Sequence, residues 1–96
     1  MFQEEFQVAV DEITLECREY FLDRLKSIYI TGSVSTNEAI IGESDLDFFG
    51  YISDKLIDKD KRWIYKIEEK MNKRFKIFDG IHLNIKSVLF YFFKRE

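Results

Sequence analysis

Asp45-Leu46-Asp47-Phe48-Phe49-Gly50-Tyr51-Ile52, entered from the loop Gly42-Glu43-Ser44, decides how this 96-residue chain is read. The run reads as a strand. Residues i and i+2 of a strand share a face, with Cα atoms roughly 6.5–7 Å apart. Asp45 and Asp47 therefore stand on one side, while Leu46 and Phe48 stand on the other, where a core would lie. Two carboxylates held this way can converge on one divalent cation or clamp a pair. Hard oxygen donors favour magnesium or manganese over zinc. Phe49 follows on the acid face. It is expected to pack under the second helix, with a place bordering a base or sugar pocket as the alternative.

Upstream, Phe2, Phe6, Val10, Ile13, Cys17 and Phe21 recur at spacings of three and four, one stripe of a helix over roughly residues 3–25. Ser27-Ile28-Tyr29-Ile30-Thr31 reads as a strand that ends in the turn Gly32-Ser33, and residues 34–39 as a short helix. Downstream, Ile64, Ile67, Met71 and Phe75 set the stripe of a second long helix over 57–75. The turn Asp79-Gly80 then leads into Ile81-His82-Leu83-Asn84-Ile85-Lys86, whose alternation is that of a half-buried strand. The order α-β-α-β-α-β is that of an α+β fold, one domain over residues 1–96.

Composition limits what this domain can do. Hydrophobic residues make up 46% of the chain and charged residues 34%, enough to bury a core. Fifteen basic and eighteen acidic residues leave a net charge of −3, so broad electrostatic capture of nucleic acid is not expected. One cysteine excludes an internal disulfide, and one histidine excludes a multi-histidine metal cage. Met1-Phe2-Gln3-Glu4-Glu5 is acidic at once, which is not the start of a secretory leader. The most apolar stretch, Val88 to Phe93, is too short to span a bilayer. The expected location is the cytoplasm, with no membrane partner. That apolar stretch is instead expected to meet a second copy or a protein partner.

Gly32-Ser33 adds a second half to the acid pair. Glycine lets a ligand approach the backbone, and the first amides of the following turn can donate to an anion. Gly32-Ser33-Val34-Ser35-Thr36-Asn37-Glu38-Ala39 followed by Ser44-Asp45-Leu46-Asp47-Phe48 resembles the signature of the nucleotidyltransferase superfamily with the DNA polymerase beta-like fold. It is most similar to the minimal nucleotidyltransferases and the aminoglycoside adenylyltransferases. The resemblance implies a small mixed sheet backed by helices, a nucleoside triphosphate donor (ATP is the expected one), two Mg2+ ions, and transfer of a nucleoside monophosphate to a hydroxyl. It implies metal ligation by Asp45 and Asp47, and triphosphate binding by Gly32, Ser33 and Ser44. Several minimal members are antitoxins that adenylylate a partner toxin, so a toxin-like protein is an expected partner.

The chain departs from the pattern where chemistry is most exacting. The family often has Arg-Gly where Thr36-Asn37 stands here, which removes a phosphate contact. It usually carries a third carboxylate on the next strand. Here His82 occupies the aligned place, Asn84 is the alternative, and Asp79 lies out of register in the turn. A neutral histidine can act as a base near pH 7 or bind a metal, but it brings no negative charge. His82 is therefore a candidate catalytic residue beside Asp45 and Asp47. A degenerate nucleotide-binding or protein-interaction module is the alternative to an enzyme. Cys17 lies on the apolar stripe and reads as a buried structural thiol. Asp58-Lys59-Asp60-Lys61-Arg62 reads as a solvated helix start.

Overall fold

The alternation in Asp45–Ile52 is realised as the central strand of a three-stranded sheet. The computed structural model describes residues 4–31 and 43–88. Helix α1 spans Glu4–Phe21 and runs through a 3-10 turn, Leu22–Arg24, into β1, Leu25–Thr31. Strand β2 spans Asp45–Ile52, helix α2 Asp58–Arg74 and β3 Gly80–Ser87. The sheet order is β1-β2-β3, with β1 antiparallel and β3 parallel to β2. The sheet is therefore mixed, as the resemblance implies. The short helix expected over 34–39 lies outside the described residues. Among those described, no helix is long and apolar enough to cross a membrane.

Both helices cover one face of the sheet. Phe6, Ala9, Val10, Ile13, Cys17 and Phe21 of α1 share a buried cluster with Leu46, Phe48 and Ile52 of β2, Ile81, Leu83 and Ile85 of β3, and Ile67 and Met71 of α2. Each of the Phe, Ile, Leu, Val and Met side chains contributes about 1.5–3 kcal/mol on burial. Burial pushes the Cys17 thiol up to about 12, as befits a structural side chain. α2 also shields the outer edge of β3. Asn72 Oδ1 accepts the Ile81 N–H at 2.9 Å, Asn72 Nδ2 donates to the Ile81 carbonyl at 3.2 Å, and Glu68 accepts the Leu83 N–H at 2.7 Å. Helix side chains thus stand in for a missing strand.

Two expectations need correcting. The first helix stops at Phe21, short of residue 25, because Leu22 adopts φ 54 and turns the chain. Glycine or asparagine usually occupies such a left-handed stop, and neither is here to signal it. The turn brings Arg24 to two acids and lets its carbonyl accept the Ser53 N–H at 2.7 Å.

The second correction concerns Asp60, which is buried and not solvated. Arg24 donates to both its oxygens, Nη1 at 3.2 Å and Nη2 at 2.7 Å, while Arg24 Nε donates to Asp54 at 2.9 Å. The Tyr20 hydroxyl and the Ile57 N–H also donate to Asp60, at 2.9 and 3.1 Å. Tyr20 itself stacks on Trp63 with ring centroids 4.2 Å apart. One carboxylate therefore ties the end of α1 to the start of α2 and caps α2 at its positive end. The Arg24 fork first, and these donors with it, hold the Asp60 carboxyl down at about 2, against 3.8 unperturbed.

Asp60→Asn is expected to lower stability by about 2–4 kcal/mol, because it removes a charged acceptor and leaves Arg24 facing an amide. A depressed carboxyl stabilises the fold above its unfolded pKa and loses that contribution on acidification. The wild-type loss should fall between pH 3.8 and about 2, and the variant should lack it. Urea unfolding across that window measures both.

Candidate active site

The sheet face away from α1 and α2 carries the candidate groups. On β2 the buried positions alternate with exposed Asp45 and half-buried Asp47, Phe49 and Tyr51. Register extends that face onto both neighbours. Thr31, Asp47 and His82 lie side by side across the three strands, and Tyr29, Phe49 and Asn84 form the next row. Asp45 pairs with Gly80, one row nearer the sheet end. β1 ends at Thr31, in register with Asp47. Gly32 and Ser33, next in sequence, lie outside the described residues.

Two of the candidate side chains, Asp45 and His82, flank Gly80. A Cβ built on it would lie 3.0 Å from His82 Nε2 and 3.3 Å from Asp45 Oδ1. Imidazole and carboxylate therefore lean over a position kept bare of side chain. Ser44 anchors the same corner through its backbone, its carbonyl accepting the Asp79 N–H at 2.9 Å. That bond continues the β2–β3 ladder past Asp45 and Gly80 and fixes the turn next to the acid. Asp79 remains in the turn, exposed and ahead of the strand.

The acid pair and His82 thus share one face and one end of the sheet. Among the described residues, no group of three or more His, Cys, Asp or Glu side chains is close enough together to hold a metal ion. Cys17 is in the core beneath the opposite face, as a buried structural thiol. Phe49 is not under the second helix, α2, contrary to expectation. It lies on the acid face, its ring stacked near that of Tyr29 with centroids 6.0 Å apart. Tyr29 escaped the sequence reading, although its parity with Thr31 places both on one face.

A family model described as a nucleotidyltransferase domain matches residues 10–93. The chain belongs to this nucleotidyltransferase family. Comparison with curated proteins and with solved structures gave no match. The matched span includes the acid-bearing strand and its parallel neighbour, so the geometry just described belongs to a nucleotidyltransferase domain.

Gly80→Ala should displace His82 and Asp45 without unfolding the domain, since both contacts are to the free ends of exposed side chains. The expected result is a stability change within about 1 kcal/mol, together with a clear shift of the one histidine's ring resonances in proton NMR. Unchanged resonances would mean that the ring does not sit over Gly80.

Proposed function

We propose that this nucleotidyltransferase domain transfers a nucleoside monophosphate from a nucleoside triphosphate, with ATP the expected donor, to a hydroxyl of a protein or small-molecule acceptor. The observation that carries the reading is the placement of Asp45 and Asp47 on the sheet face away from α1 and α2, with His82 in register beside Asp47. Magnesium fits this donor set. Two carboxylates supply hard oxygens, and magnesium ordinarily keeps several positions for water and substrate phosphates. Asp45 and Asp47 would hold Mg2+, which when bound neutralises charge on the phosphates during transfer.

The remaining work falls to the chain's own groups. His82, in its neutral form, is the group beside Asp47 able to accept the acceptor's hydroxyl proton. Gly32, Ser33 and Ser44 are assigned to the triphosphate on the motif alone. A toxin-like protein or a second copy of the chain remains the proposed partner.

One observation favours a second reading. The place in register with Asp47 on β3 holds a histidine, and no third carboxylate joins the pair among the described residues. Two dications would then be offset by two protein charges, which favours weak metal binding. A domain that binds nucleotide or a partner without turnover is consistent with that deficit.

Asp45→Ala combined with Asp47→Ala should abolish magnesium-dependent ATP binding in calorimetry, with thermal stability close to that of the parent. Unchanged affinity would defeat the site assignment. Pyrophosphate release from labelled ATP, lost in Asp47→Ala, separates the enzyme from the module, which binds ATP and releases none.

A further inference from the structure

The row of the sheet next to the acids is aromatic. Tyr29 and Phe49 face each other across β1 and β2, with centroids 6.0 Å apart and planes 20° from parallel. Tyr29 is 47% exposed and Phe49 half-buried, on the face that neither helix covers. Neither ring belongs to the buried core cluster.

We propose that Tyr29 and Phe49 form the ledge on which the base of the donor nucleotide stacks. The inference rests on the metal and nucleotide reading of Asp45 and Asp47. Phe49 stands two positions beyond Asp47 on the same face, so about 6.5–7 Å separates the two along the strand. In a nucleotide one ribose separates the α-phosphate from the base, a span of the same order. A phosphate held at the acids therefore delivers its base to this row. The aromatic pair supplies π faces and apolar edges, which suit any planar heterocycle. Polar groups of this face are engaged within the protein: Asn84, the third member of the row, donates its Nδ2 to the Phe48 carbonyl at 3.1 Å, and the Tyr29 and Tyr51 hydroxyls hydrogen-bond each other. The ledge should therefore accept purines with little discrimination between adenine and guanine.

The test compares ATP with inorganic tripolyphosphate, both with magnesium, by calorimetry on the full chain. Tripolyphosphate reports the metal and phosphate contacts without a base. Tyr29→Leu and Phe49→Leu keep apolar bulk and remove the ring; exposed Tyr29 guards against a folding defect at half-buried Phe49. The expected outcome is ATP affinity reduced about tenfold in each variant, with tripolyphosphate affinity unchanged. ATP affinity unchanged in both variants, or ATP and tripolyphosphate weakened equally, overturns the ledge while leaving the acid site standing. A parent chain that binds neither ligand overturns the acid site and the ledge together.

Discussion

The parallel pairing of β2 with β3 is the constraint on which the rest depends. It sets Asp45 against Gly80 and Asp47 against His82. The same pairing sets Leu46 against Ile81 and Phe48 against Leu83, all of them buried. A slip of one residue would exchange the two faces of β3, driving His82 and Asn84 into the core and Ile81 and Leu83 into water. Hydrophobic burial therefore fixes the register, and the register fixes which groups face each other at the site. The polar arrangement is held at low cost because the opposite face would resist any alternative.

That pairing needs support at its outer edge, and α2 supplies it. Asn72 and Glu68 satisfy backbone groups of Ile81 and Leu83, the residues flanking His82. α2 is in turn located by Asp60, whose carboxylate gathers Arg24, Tyr20 and the Ile57 N–H. Surface pairs between the helices, Lys70 with Glu16 and Arg74 with Glu12, are exposed and add little by comparison. A buried charge at the start of α2 thus positions a helix whose side chains steady the strand bearing His82. Stability and site geometry are coupled through that helix.

The elements themselves were legible. The stripe from Phe6 to Phe21, the alternation in Asp45–Ile52 and that in Ile81–Lys86 each carry their own period, and the structure keeps all three. What remained hidden depends on partners distant in sequence. Asp60 sits among alternating charges, and nothing local separates it from Asp58; Arg24, 36 positions away, makes the difference. The stop at Phe21 was hidden because a leucine takes the left-handed place. Phe49 was assigned to the wrong surroundings because parity reveals which face a side chain occupies, not which face a helix will cover. Tyr29 was missed because its role appears only once β1 is set in register against β2.

On the proposed reading, charge decides how the site works. Two carboxylates would face phosphates that carry several negative charges, and the neighbour in register on β3 is an imidazole. With a third acid there, the protein would offset more of the cations' charge and hold them before nucleotide arrived. With His82 there, the proposed nucleotide's own phosphates would complete the offset, and cation and nucleotide would then bind as a unit. The bare Gly80 suits such an arrangement. It leaves the Asp45 carboxylate and the His82 ring room to adjust when the phosphates bring the missing charge, while the strands beneath them stay fixed by the core.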